Sequence, residues 1–328
     1  MMRRAAAVAL LAATVCMAGC VRTVKVAKPL PVEAPLTLDQ LVERVNRLVG
    51  VERVQATVSL QFRDLRDSSQ GKNKEYPAAD GIVILARPEM IRLRIKAPFV
   101  GKKIADMVSD GTKFEVAVYY PDDKRQFIVG SNAGRYKRVE VGMQTSDKAL
   151  QQAGALANIR PQHLTDAFLL RPLLLDAPDG LYFLDEAKET ERGSKKSEDV
   201  VRSYYVLTVL ERIGGGPQAR VVRRLWFERS RQGTPLARQE LYEDGHLATS
   251  IRYDNYVAIE GGRQWPERIS IQRVEDSYSV DVIFEPKALT INGEVEPDVF
   301  NLANEESLPV VDLDKRTDVL EPANATRP

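Results

Sequence analysis

The chain has 328 residues, 44% hydrophobic and 28% charged, a composition that fits a globular protein and excludes an intrinsically disordered one. Its 47 basic and 46 acidic side chains leave a net charge of +1, so no one-signed field draws nucleic acid, which is not expected as a partner. Only Cys16, Cys20, His163 and His246 carry thiol or imidazole groups, which excludes a disulfide framework and leaves zinc or Cys-His chemistry short of ligands.

The first charges are Arg3 and Arg4, followed by fifteen apolar or small residues from Ala5 to Gly19. A membrane-spanning helix needs about 20. A positive start, a short apolar run and small residues at its end predict a secretory signal over residues 1–19. Met17-Ala18-Gly19-Cys20 resembles the lipobox of bacterial lipoproteins, with Met17 where Leu is more usual. That resemblance implies a diacylglycerol on the Cys20 thiol, cleavage before it and an acyl group on the new amino terminus. No other cofactor is expected. The alternative is an ordinary cleaved signal with Cys20 an incidental thiol. Val21 stands where an Asp would mark inner-membrane retention, which by resemblance to that sorting rule favours the outer membrane, periplasmic side.

Residues 20–36 hold Pro29, Pro31 and Pro35 and are expected to be an extended tether. Thr37 is a helix N-cap by sequence, and Leu38, Leu41, Val42, Val45, Leu48 and Val49 recur at helical spacing until Gly50. The period then changes to two: Val54, Ala56, Val58, Leu60 and Phe62 alternate with polar residues, predicting a half-buried strand. Further strands are expected over 81–86, 90–96, 103–108, 112–120 and 125–129, separated by Arg87-Pro88-Glu89, Ser109-Asp110-Gly111 and Pro121-Asp122-Asp123. Short turns between consecutive strands predict an antiparallel meander. Ile91, Leu93 and Ile95 point to one face and Arg92, Arg94 and Lys96 to the other, and Phe114, Val116, Val118 and Tyr120 repeat the pattern. One apolar and one wet face are therefore expected.

Residues 145–175 read as helical, broken near Arg160-Pro161. Strands resume over 181–187, 201–213, 219–229, 235–243, 247–257, 266–274 and 277–285, with the charged stretch KETERGSKKSED read as a loop and Gly214-Gly215-Gly216-Pro217 as a hairpin turn. This order predicts an α+β fold: a curved antiparallel sheet, an incomplete barrel, with helices covering its concave apolar face. The folded domain is expected over 37–313 and a disordered tail over 314–328. Trp226 and Trp265 read as strand residues packing a sheet. The sequence has no G-x-S-x-G elbow and no Lys-Ser/Thr after its glycine run, so an enzyme is not expected.

In MIRLRIKAPFVGKKIADMVSDG, residues 90–111, Pro98, Phe99, Val100 and Gly101 place two large apolar groups in a connection between strands. Phe99 either folds back onto the sheet or meets something other than solvent. This stretch, ALANIRPQHLTDAFLL in its place after the first meander, and EPDVFNL at 296–302, read as a closing strand, resemble the LolA/LolB-like superfamily of lipoprotein carriers and receptors. The resemblance implies an apolar cavity for acyl chains, membrane insertion by Phe99 with Val100 beside it, and partners that include membrane lipid, an acylated lipoprotein or lipid cargo and a periplasmic carrier. Cavity candidates on the apolar face of the first meander are Val58, Leu60, Ile91, Leu93, Ile95, Phe114, Val116 and Val118; plain core packing is the alternative for each. A second functional class keeps the fold as an envelope sensor or scaffold that binds proteins. The charged second half is its motive.

Overall fold

The computed structural model describes residues 27–66, 73–96, 103–120, 122–134, 136, 154, 157–175, 180–193, 198–214, 216–259 and 263–315. The helix read from Thr37 is α1 (Leu38–Val49). Thr37 Oγ1 accepts from the Gln40 amide at 3.3 Å and Gln40 Oε1 accepts from the Thr37 amide at 2.9 Å, a capping box that satisfies two otherwise orphaned donors. Gly50 ends the helix, and its Leu41, Val42 and Val45 are buried.

The first meander runs through β2 (Arg53–Asp64), β4 (Ala79–Ala86), β5 (Met90–Lys96), β6 (Lys103–Ser109), β7 (Lys113–Val118) and β8 (Gln126–Ser131), with the two-residue strand β3 (Lys74–Glu75) beside β2. A second helix, α2 (Pro161–Phe168), begins at the predicted break, where Pro161 suits a first helical turn. The second meander follows as β9 (Gly180–Arg192), β10 (Asp199–Arg212), β11 (Ala219–Glu228), β12 (Leu236–Glu243), β13 (His246–Ile259), β14 (Arg263–Arg273) and β15 (Tyr278–Ile291).

The two meanders are halves of one sheet. The last long strand, β15, pairs antiparallel with the first, β2, setting Tyr278 opposite Asp64 and Phe284 opposite Val58. From that seam the sheet runs one way through β4 to β8 and the other through β14 to β10, with β9 along β10. Two short parallel strands, β1 (Lys28–Pro29) on β10 and β16 (Val310–Asp312) on β8, complete it. Among the described residues no pairing joins the β9 side to the β16 side, so the curved sheet stays open.

Three departures from the sequence reading have local causes. β9 runs to Arg192, through residues expected to be a loop, because Glu189 and Glu191 find cross-strand partners: Arg238 at 2.5 Å for the first, Arg202 at 3.1 Å and the Tyr204 hydroxyl at 2.9 Å for the second. EPDVFNL is not a strand. Pro297–Phe300 forms a 3₁₀ turn held by Val299 N–H to Glu296 O and Asn301 N–H to Asp298 O, and β16 is the strand that pairs instead. Finally, the face of the first meander expected to be wet is partly covered. Phe300, Leu302 and Leu308 pack there on Ala86, Val108, Ala117 and Phe127, and Arg92 and Arg94 turn onto Asp106, which is fully buried.

Residues 28–36, within the stretch read as a tether, lie against the sheet: Leu30 N–H donates to Val201 O, Glu33 N–H to Arg229 O and Leu36 N–H to the Tyr205 hydroxyl. At the other end Leu313 is buried and Asp314 accepts from the Ser131 hydroxyl at 3.1 Å, so the ordered contacts extend just past the expected boundary at 313. Residues 316–328 lie outside the described residues.

Candidate functional site

All eight cavity candidates lie on the face their alternation predicts. Val58 and Leu60 on β2, Ile91, Leu93 and Ile95 on β5, and Phe114, Val116 and Val118 on β7 are each at most 5% exposed and belong to one cluster. That cluster crosses the seam onto Val280, Val282 and Phe284 of β15, Ile269 and Ile271 of β14, Ile251 and Tyr253 of β13, and Leu225 and Phe227 of β11. Leu41, Val42 and Val45 of α1 and Leu164, Ala167 and Phe168 of α2 join the same cluster. Its aromatic centre is Phe284, met edge-on by Phe168 at 5.5 Å and by Trp265 at 5.7 Å. Trp265 therefore packs the sheet as expected, with its indole N–H lacking a hydrogen-bond acceptor among the described residues. Trp226 lies under the Arg238 guanidinium, 4.5 Å from its ring centre.

The α2 segment is tied to this face by a few side-chain bonds. Tyr253 donates its hydroxyl to Ala167 O at 3.0 Å, Gln239 Nε2 donates to Asp166 O at 3.1 Å, and Arg223 Nη1 to Arg171 O at 3.0 Å. From α1, Asn46 makes a paired bond with the backbone of Leu173. His163 Nδ1 and the Tyr278 hydroxyl are 2.6 Å apart. Burial, reinforced by Arg273 and Arg160, holds the His163 imidazole well below its usual range, so it is neutral at pH 7 and accepts or donates one hydrogen bond without charge.

Sequence reasoning missed a polar row on this apolar face. In register across five strand pairs stand Arg223, Leu241, Thr249, Arg273, Tyr278 and Asp64. The next row, Leu225, Gln239, Ile251, Ile271, Val280 and Phe62, is apolar but for Gln239. The signal was there in ARVVRRLWFE: counting back by twos from Phe227 and Leu225 lands on Arg223. Arg273 is paired with Glu243 at 2.9 Å and Asp276 at 2.8 Å. Arg223 is as deeply buried, and burial pushes its guanidinium down to about 10, still cationic at pH 7.

Two cavities lined by described residues border the cluster. One, about 390 Å³, lies between the α2 segment and β10–β12 and is lined by Asp166, Arg171, Pro172, Val209, Arg223, Gln239, Leu241 and Glu243. The other, about 490 Å³, lies between α1 and β11–β14, with Leu48, Phe227, Leu236 and Tyr256 in its walls and Arg44 and Arg47 beside them. Cys20, Phe99 and Val100 lie outside the described residues. Among the described residues no helix is long and apolar enough to cross a membrane, and no group of three or more His, Cys, Asp or Glu side chains is placed to hold a metal ion.

No protein-family model and no curated protein matches the sequence. Among solved structures the chain is similar to a DUF1329 family protein from Desulfovibrio piger, at 11% identity over 82% of this chain and 96% of that one, TM-score 0.44. It is also similar to a LolA superfamily protein from Nitrosomonas europaea, at 13% identity over 82% and 99%, TM-score 0.39. A third is a Vibrio parahaemolyticus domain assigned to outer membrane lipoprotein sorting, at 11% identity over 79% and 95%, TM-score 0.38. The structural neighbours thus include LolA superfamily and lipoprotein-sorting proteins.

Proposed function

We propose that this chain is a lipid-anchored, periplasm-facing carrier or receptor that takes acyl chains of a lipoprotein or lipid against the apolar face of its open sheet and delivers them to the outer membrane. The observation that carries the proposal is the extent of that face: one apolar cluster spans both meanders of an unclosed sheet and is completed by two short helices. Acyl chains crossing water expose on the order of 40 methylenes, each worth about 0.8 kcal/mol, so roughly 30 kcal/mol must be hidden by a carrier. Side chains of this type hide it without directional bonds.

In this reading α1 and α2 are the lid. α2 is held to the sheet by apolar packing and a few side-chain bonds, α1 by apolar packing and its bond to Leu173, and acyl chains take the place of Leu164, Ala167 and Phe168 against Phe284 and its apolar neighbours when the lid lifts. Cys20 carries the diacylglycerol and the N-acyl group that anchor the protein. Because residues 28–36 dock on the sheet, eight residues, Cys20 to Ala27, separate the anchor from the docked segment, at most about 25–30 Å of chain.

The test is native mass spectrometry with lipid extraction on the chain carrying Cys20→Ser, expressed in the periplasm. Acyl species that co-purify with the folded protein, and leave when acceptor vesicles are added, are expected. A folded protein that is lipid-free and takes up no acylated peptide from a donor would sink the proposal.

A further inference from the structure

Arg223 poses a problem that the acyl-carrier reading does not solve. Charged groups are buried only when paired, and Arg273, its counterpart in the same polar row, obeys the rule with carboxylates at 2.9 and 2.8 Å. Arg223 is 8% exposed and has no carboxylate within 4.0 Å among the described residues. Its one hydrogen bond there is Nη1 to Arg171 O at 3.0 Å, so most of its five N–H donors are uncommitted. It lines the cavity of about 390 Å³. The carboxylates in that wall are hydrogen-bonded elsewhere, Asp166 to Arg171 at 2.9 Å and Glu243 to Arg273 at 2.9 Å, and Asp166 acts on Arg223 only from beyond ion-pair distance.

We infer that Arg223 and its cavity form a binding site for the anionic headgroup, phosphate or carboxylate, of an amphiphile. A guanidinium offers two parallel N–H groups to two oxygens of either anion, and burial strengthens that pairing relative to water. The apolar walls, Val209, Leu241 and Pro172, suit the first carbons beyond the headgroup, and the next row inward, Leu225 and Ile251, leads from the site to the apolar cluster. Arg171, largely exposed, stands as a second cation in the cavity wall. An arginine needed only to hold Arg171 O would use one donor, and a neutral amide would serve as well.

The inference deepens the acyl-carrier reading and is separable from it. The full chain with Cys20→Ser is titrated calorimetrically, below any micelle threshold, with dodecyl phosphate, dodecanol and inorganic phosphate. Dodecyl phosphate is expected to bind at least tenfold more tightly than dodecanol. Arg223→Gln, which keeps a donor for Arg171 O, should erase that preference and leave dodecanol affinity unchanged; Arg223→Lys should keep most of it. Equal affinity for the two alkyl compounds, or a preference that survives in Arg223→Gln, overturns the anion site and leaves the carrier reading standing. Phosphate binding lost in Arg223→Gln, with neither alkyl compound bound, upholds the site for free phosphate and defeats the carrier reading. No binding of any of the three overturns both. Should Arg223→Gln fail to fold by circular dichroism, the wild-type preference and Arg223→Lys decide the matter.

Discussion

Replacing Asp106 by Asn tests whether the outer face of the first meander is held by a buried charge cluster. Asp106 is fully buried and accepts three bonds: Arg92 Nε at 3.1 Å and Nη2 at 2.7 Å, and Arg94 Nε at 3.2 Å. Arg92 Nη1 also donates to Val299 O at 2.8 Å, which ties the carboxylate to the 3₁₀ turn that carries Phe300. Removing one partner of a buried pair typically costs about 3–5 kcal/mol, because the remaining charge is left unpaired. Arg94 is 34% exposed and keeps water, so its share is small; Arg92 is 14% exposed and loses most. Asn keeps one acceptor oxygen but turns an NH₂ toward guanidinium donors. The expected loss is therefore about 3 kcal/mol in urea unfolding, with the denaturant slope unchanged.

The same geometry predicts coupling. Phe300→Ala alone should cost roughly 3 kcal/mol, since the ring is buried against Ala86, Val108 and Phe127. Combined with Asp106→Asn it should cost at least about 0.5 kcal/mol less than the sum, because either change loosens the turn that the other needs. A loss below about 1 kcal/mol for Asp106→Asn, together with strict additivity, would refute the idea that this cluster clamps the C-terminal segment.

His163 stays neutral in the folded state well below 6.5 while the unfolded chain takes up a proton near that pH. Stability is therefore lost as pH falls below 6.5, because the unfolded chain then binds the proton that the buried imidazole refuses. His163→Gln should shrink the loss of stability between pH 7 and pH 5 in paired urea titrations; an unchanged drop would place a charged imidazole in the fold. Thr37→Ala breaks the capping box and should cost about 1 kcal/mol, with no added loss when Gln40→Ala is introduced as well beyond a few tenths. Phe99→Glu should leave the circular dichroism spectrum intact and reduce insertion into lipid monolayers at least tenfold, whereas insertion at the wild-type level would remove Phe99 from the delivery step.

The sequence made one face of the sheet legible and hid the other. On β2, β5 and β7 the apolar residues alternate without a break, and a period of two needs no knowledge of what lies opposite, so strand identity and inward direction followed from local pattern. α1 was equally legible, because both its cap and its end are written in adjacent residues. The outer face depends on partners far along the chain. Arg92 finds Asp106 fourteen residues away and Val299 at a separation of 207, and Glu189 finds Arg238 across 49 residues. A charged alternate residue reads as solvated unless those partners are known. Arg223 was hidden for a related reason: one charge within an apolar alternation looks like an irregularity until the register lines it up with Thr249, Arg273 and Tyr278.

That register also suggests why the second meander is so long. The eight apolar candidates all belong to β2, β5 and β7, whereas the polar row begins on β11 and ends on β2, at Asp64. The seam between β15 and β2 is where the two characters meet: Val280 and Val282 lie opposite Phe62 and Leu60, one and two rows from the Tyr278–Asp64 pair. A sheet made of the first meander alone would offer acyl chains a surface with nothing to fix their depth. The second meander supplies four buried donors at one level of the same face, Arg223, Thr249, Arg273 and Tyr278, with Arg223 the one cation among them that the protein itself leaves without a carboxylate among the described residues. An amphiphile laid on such a face has its headgroup position set by charge and its chain left to non-directional packing. Under the proposed carrier function with its anion site, Leu93→Asn should weaken charged and uncharged alkyl ligands alike while Arg223→Gln weakens only the charged ones.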